Sequence, residues 1–239
     1  MRADGEDAFM TAEERASHAI IQLIIDHKYL PGEKLLEAEL ATELGMSRTP
    51  IRSALRKLAA EGFLEMQANR GCSVPFLTLD DMETLFNFRA ELEGFAAYEA
   101  ARAIRPQQID EVRKLLEMEK GIYSRADALT YNKLNEEIHK AVVDASGNSY
   151  LIRAVKPIFL RSELYIFYYD RFCREKKPKV EYLEVPETHN SMVEHAKLLR
   201  ALEESEADIA RLVAKRHVLH TMEQLRKAFF VWGAKMFDF

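Results

Sequence analysis

The chain is poor in cysteine, glycine, proline and tryptophan. Its two cysteines, Cys72 and Cys173, stand about a hundred positions apart. One such pair builds no disulfide framework, and both are expected as free thiols of a cytoplasmic protein. No apolar run approaches the ~20 residues needed to cross a bilayer, so no membrane partner is expected. The first residues, MRADGEDAFMTAEERASHA, lack the cationic start and apolar core of a secretory signal. Positive charge is also in short supply, with 34 Lys and Arg against 39 Asp and Glu and a net charge of -5. That balance gives no general attraction for phosphates, so any nucleic-acid surface has to be local. What remains is an ordinary globular composition, 48% hydrophobic and 31% charged, in 239 residues that suffice for two domains.

Apolar residues recur at helical spacing over residues 16–25, 38–44 and 50–58, and then in long stretches from Met82 almost to the end. Strand signals are confined to GFLEMQANRGCSVPF. There Phe63, Leu64 and Met66 on one side, and Cys72 and Val74 on the other, flank a polar tip at residues 67–71, the pattern of a short hairpin. Pro75 and the TLDD of residues 78–81 follow and announce a new helix, which puts a domain boundary near residue 77. Later breaks at Pro106, near Ser124, near Gly147 and over residues 173–190 divide the remainder into six helices. The expected fold is mainly α. A winged helix-turn-helix DNA-binding domain spans residues 8–76, and an all-helical antiparallel bundle of about six helices spans residues 78–232.

The first domain carries its function in GMSRTPIRSALRKLAAEGFL. Gly45 supplies a left-handed stop for one helix, Ser47 is a good N-cap for the next, and Pro50 falls in the first turn, where its missing N–H costs nothing. A helix opening at Ser47 buries Ile51, Leu55 and Leu58 and leaves Arg48, Thr49, Arg52 and Ser53 toward solvent. Four cationic residues and no acidic one lie between Arg48 and Lys57. A solvated arginine face is the ordinary meaning of such spacing. Here the helix sits in a helix-turn-helix order, with Asn69, Arg70 and Gly71 at a wing tip, and these exposed positions are where recognition helices meet base edges and phosphates. The reading requires Arg48 and Arg52 to point outward rather than fold back onto acidic partners.

The stretch PGEKLLEAELATELGMSRTPIRSALRKLAAEGFLEMQANRGCSV resembles the DNA-binding domain of the GntR family of bacterial transcription regulators. The resemblance implies an operator in double-stranded DNA, with Arg48 and Arg52 as principal contacts, Ser47 and Thr49 on phosphate, and Arg70 with Gly71 at the wing tip. Ala38 stands where many relatives carry arginine, so one contact from the preceding helix is not implied. Residues 78–232 resemble the all-helical effector-binding FCD domain of the FadR-type branch, on NFRAELEGFAAYEAA, LNEEIHKAVVDASGNSYL, MVEHAKLLRALEE and ARLVAKRHVLH. The metal-bearing members imply three histidine ligands, His139, His195 and His217, the last two 22 positions apart, joined by residue 135, which is Asn here where an Asp is common. The family also implies a homodimer.

The residues support such a site on their own terms. Asn135 and His139 lie one helical turn apart on one face, and His195 and His217 come from separate helices, an arrangement that bundles use to converge on an ion. Three neutral imidazoles with an open position suit Zn, Ni, Fe, Mn or Cu, with Zn or Ni expected, while amide in place of carboxylate at residue 135 weakens the hold on a dication. Arg89 and Glu93 are spaced i,i+4. They form either a plain intrahelical ion pair or a carboxylate clamp in which Glu93 steadies Arg89. A metal beside Arg89 favours a small carboxylate as effector. Two other readings are a metal-free pocket for an acyl thioester and, on three histidines able to activate water, a metal-dependent enzyme. The enzyme reading lacks a general base, because Glu136 and Glu137 are expected to point elsewhere on their helix. The aromatic run of Tyr165, Phe167, Tyr168, Tyr169 and Phe172 is expected to serve packing.

Overall fold

In a computed structural model, residues 10–67, 71–123, 128–175 and 191–236 are described. The chain divides between Thr78 and Leu79 into two compact units.

The first unit begins with α1 (Ala12–Ile25). It starts a turn before the apolar period does, because Thr11 and Glu14 close a capping box: the Glu14 amide donates to Thr11 Oγ1 at 3.2 Å and the Thr11 amide to Glu14 Oε2 at 2.8 Å. A short strand, β1 (Lys34–Leu35), precedes α2 (Glu37–Glu43) and α3 (Arg48–Ala60). The hairpin follows as β2 (Glu65–Gln67) and β3 (Gly71–Ser73). β1 joins it by pairing antiparallel with β3, Leu35 opposite Cys72, which gives a three-stranded sheet in the order β1-β3-β2. Between α2 and α3 the chain reverses at Gly45, whose φ of +61° is cheap only for glycine. Gly32, also at positive φ, lies under the Phe76 ring, where an added Cβ would come within 2.5 Å. Ile51, Leu55 and Leu58 of α3 are buried with Ile20, Ile24, Leu40, Phe63 and Val74, so the apolar face of α3 is spent on the core and its opposite face is left outside.

The second unit comprises six helices among the described residues, as the punctuation of the sequence predicts. They are α4 (Leu79–Ala103), α5 (Pro106–Tyr123), α6 (Ala128–Ala145), α7 (Ser149–Glu175), α8 (Ser191–Glu203) and α9 (Ala207–Met236). α4 is central: it packs along α9 and also meets α6, α7 and α8. Its small residues allow this. Ala97, Ala100 and Ala101 are buried against Val112, Leu116, Ile138, Val142, Leu198, Leu202 and Ala214, and at Gly94 the backbone of Arg211 comes so near that a Cβ would sit 3.3 Å from its carbonyl oxygen. Near its start, α4 is tied to α7 by Asp81, which accepts a hydrogen bond from Arg161 Nη2 at 2.8 Å and another from the Tyr165 hydroxyl. Tyr165, Phe167 and Tyr168 are buried as packing residues, while the side chains of Tyr169 and Phe172 lie outside the described ones. The effect of this bundle is to aim one face of each helix at a shared interior.

Candidate functional site

On α3, Ser47, Arg48, Thr49 and Arg52 are all exposed. Ser47 occupies the N-cap position with extended backbone, yet its hydroxyl makes no capping bond. Arg48 makes no hydrogen bond or ion pair among the described residues. Arg52 departs from the free, outward guanidinium expected. Its Nε lies 3.0 Å from both oxygens of Glu37, and its Nη2 lies 2.9 Å from one of them. Glu37 opens α2 and faces the first turns of α3 across the helix-turn-helix. The hydrogen bond from Arg52 holds its carboxyl below the usual range, and Arg56 and Arg48 add to the effect, so one carboxylate sits in the field of three guanidiniums. Both members of the pair stay open to water, at 53% and 36% exposure, and such a pair contributes little and exchanges readily for a phosphate or base edge. Gly71 opens β3 at a φ of +86°, and Arg70 lies outside the described residues.

The helical unit holds a second, quite different site. His139 of α6, His195 of α8 and His217 of α9 are all buried, and one ring nitrogen from each lies within 4.8 Å of those of the other two. Their ring centroids are 4.5–5.5 Å apart. Each Nδ1 is held by a buried carboxylate. His139 bonds to Glu93 of α4, His195 to Glu119 of α5 at 2.9 and 3.0 Å, and His217 to Glu194 of α8 at 3.0 Å. His220, one turn beyond His217, bonds to the other oxygen of Glu194. With Nδ1–H donating to a carboxylate, His139 and His195 are each in the tautomer that leaves Nε2 bare. The Nε2 atoms of His139 and His195 are buried and have no hydrogen-bond partner, an arrangement a folded protein ordinarily avoids. Burial pushes the pKa of His217 down to about 3, with His195 adding to it, and burial lowers that of His139 as well. His139 and His217 are therefore uncharged at neutral pH and offer lone pairs rather than protons. A metal of imidazole preference would find the donor set it needs, with carboxylate–histidine pairs already holding the ring orientations.

Arg89 is joined to this cluster through Glu93. Its Nε donates to Glu93 Oε1 at 2.5 Å, and both side chains are more than nine-tenths buried. Both readings of the pair are thus partly met, since the ion pair forms and Glu93 also grips a histidine. Burial would raise the Glu93 carboxyl, but Arg89, with His139, holds it at about 2. The Arg89 guanidinium lies 4.8 Å from the Phe159 ring centroid and lines a small pocket with Asn132, Asn135, Glu136 and Glu163. Asn135 accepts a hydrogen bond from Ser191 Oγ at 3.5 Å.

Residues 84–220 match the FCD domain, more than half of the chain, and residues 12–74 match the bacterial regulatory proteins of the gntR family. The chain belongs to the GntR family. Among curated relatives, this GntR chain is 36% identical over 138 residues to the Nta operon transcriptional regulator of Aminobacter aminovorans, an alignment covering 57% of the chain. It spans 64% of that regulator's length. It is 26% identical over 206 residues to the uncharacterized HTH-type regulator YdhC of Bacillus subtilis, covering 86% of the chain and 87% of the relative. In structure it resembles E. coli McbR/YncC with a TM-score of 0.77 over 92% of the chain and all of the other, at 20% identity, which bears on the fold. The GntR and FCD assignments make it a DNA-binding transcription regulator; the family and these relatives are regulators rather than enzymes.

Three carboxylates of this GntR regulator escape a reading of the sequence. Glu119 and Glu194 give no local sign of their histidine partners, although Glu194 directly precedes His195. Glu136, expected to point elsewhere on its helix than the histidines, turns to the pocket beside Arg89. It lines the pocket and accepts a hydrogen bond from Glu163 of α7. Burial, with that bond, pushes the Glu163 carboxyl up to about 9, whereas the Glu163 bond and Lys140, whose Nζ lies 2.5 Å away, outweigh burial and lower Glu136. Between the ordinary glutamate value of about 4.3 and about 9, the unfolded chain releases a proton that the fold retains, so this group makes the fold less stable as pH rises through that window. Glu163→Gln removes the dependence. In circular dichroism melts its melting midpoint is expected to gain on that of the native protein between about pH 5 and about pH 8; a constant difference would mean that Glu163 ionises freely.

Proposed function

We propose that this regulator binds a double-stranded operator as a homodimer, in the cytoplasm, and that its helical domain senses a small carboxylate beside a divalent transition metal, Zn or Ni. On the DNA side, Arg48 and Arg52 would read base edges, Ser47 and Thr49 would bond phosphate, and Gly71 with Arg70 would form the wing tip. The unbonded Ser47 hydroxyl and an Arg48 without a hydrogen bond or ion pair among the described residues support this, and Arg52 reaches DNA by exchanging Glu37 for a base edge.

On the effector side, the observation that carries the reading is the pair of buried Nε2 atoms on His139 and His195 left without partners. His139, His195 and His217 would hold the metal, with Asn135 offering a neutral amide oxygen as a weaker fourth donor. The metal supplies an electrophilic point for one carboxylate oxygen. Arg89 would take the acid from the other side, its guanidinium fixed by Glu93 and by stacking on Phe159. Because Glu93 touches both Arg89 and His139, one carboxylate keeps the metal's ligand and the acid's ligand in register.

The test starts from operator fragments selected by the full-length protein. Fluorescence anisotropy then follows binding to them while short mono- and dicarboxylates are titrated, with metal-loaded and chelator-treated protein. The expected result is a shift in operator affinity of roughly 5- to 150-fold, the usual range of allosteric coupling, seen with loaded protein and lost in His195→Ala. An equal shift in the chelated protein and in His195→Ala would show that the acid is sensed without the metal.

A further inference from the structure

The pocket beside Arg89 is not lined as a receptor for a simple acid would be. Arg89 contributes a guanidinium whose side chain is 7% exposed; Nε is taken by Glu93, the Phe159 ring lies against the guanidinium, and the two terminal amino groups make no hydrogen bond among the described residues. That fork is a site for a carboxylate. Facing the same pocket, from α6 and α7, are Glu136 and Glu163, hydrogen-bonded to each other. An acid pair there repels a second anionic group, so a dicarboxylate spanning the pocket would set like charges together. It offers acceptor oxygens to a donor instead. Asn132 and Asn135 add amides that can serve either end.

We propose that the effector is an amine-bearing carboxylate, its acid group on the Arg89 fork and its cationic nitrogen on the Glu136–Glu163 pair. This rests on the reading of Arg89 as the acid's partner and extends it to the other end of the ligand. Both carboxyl groups open onto the pocket that Arg89 lines. A ligand N–H donates to their oxygens and brings a positive charge to a place where burial leaves acids poorly solvated. Lys140, which does not line this pocket, pairs with Glu136 at 2.5 Å and favours its ionised form. The pair then discriminates: it favours the amine, tolerates a hydroxyl and disfavours a bare methylene or a second carboxylate.

Isothermal titration of full-length, zinc-loaded protein decides the matter with matched ligands that differ only at nitrogen: glutamate against glutarate, 4-aminobutyrate against butyrate, leucine against 4-methylpentanoate, alanine against lactate and propionate. The expected result is that an amine-bearing member binds at least about tenfold more tightly than its des-amino isostere, and that Glu163→Gln brings the two within about twofold of each other. Should Glu163→Gln not fold, the comparison within the native protein stands alone. If des-amino or hydroxy members bind as tightly as their amines, and Arg89→Lys weakens them, the acid is sensed at Arg89 and the nitrogen assignment is wrong. If no member of either series binds, the acid site at Arg89 itself is wrong.

Discussion

A stoichiometric zinc ion is expected to raise the melting midpoint of the native protein by about 8–16 °C at a thousandfold excess over its dissociation constant. Binding to the folded state alone supplies about 4 kcal/mol under those conditions, and a domain of this size moves by about 2–4 °C per kcal/mol. The size of the effect follows from preorganisation. Three imidazoles are already held by Glu93, Glu119 and Glu194, so the metal need order little on arrival. Removing a ligand has two separable consequences. His195→Ala leaves the Glu119 carboxylate buried with no histidine, which destabilises the fold whether or not metal is present. Only the zinc-dependent increment reports on the metal. Melts of native protein, His139→Gln, His195→Gln and His217→Gln, each with zinc and with chelator, are expected to show the increment in the native protein and its loss in all three variants. Protein purified without a nickel column should also carry about one metal per chain by elemental analysis. An increment that survives in the variants would place the ion elsewhere.

The second large effect belongs to the DNA. Arg52→Ala is expected to lose about 1–3 kcal/mol of discrimination between operator and scrambled sequence, the amount carried by one bidentate contact to a guanine. Arg48→Ala is expected to weaken the operator to a similar degree, and Ser47→Ala to weaken all sequences alike with a shallower salt dependence, as befits a phosphate contact. Glu37 sharpens the test. Because it holds Arg52 by two bonds in the protein without DNA, Glu37→Gln frees the guanidinium and is expected to speed association while blurring discrimination. Anisotropy titrations across a salt series separate these outcomes. Operator binding unchanged in both Arg48→Ala and Arg52→Ala would remove α3 from the reading surface.

Local chemistry made much of this visible in the sequence. Gly45, Ser47 and Pro50 mark the start of α3 within six residues, and Ile51, Leu55 and Leu58 fix which side is buried, so the outer face follows by subtraction. The six helices of the second unit follow equally from Pro106, Gly147 and the polar breaks. Other features escaped because nothing nearby in the chain implies them. β1 is two residues long, too short to alternate, and exists because β3 offers it an edge. The bond between Glu119 and His195 joins positions 76 apart, and a glutamate in a helix is ordinarily a solvated residue until packing encloses it. The pocket role of Glu136 is invisible in the sequence, because α7 arrives alongside and turns that flank of α6 into pocket wall. Arg52 was legible as a surface cation, but its bond to Glu37 depends on how tightly the turn between α2 and α3 closes.

The tie between Asp81 and α7 has a mechanical consequence. Arg161 and Tyr165, which hold Asp81, straddle Glu163 on the same helix, so the wall of the pocket and the anchor of the first turn of α4 are one rigid rod. A molecule that pushes this rod aside to fit its own bulk must drag the opening of α4 along or snap the Asp81 bonds. Asp81 stands three positions after Thr78, where the first unit ends, so a tug there falls on the opening turn of the helix that begins the second unit.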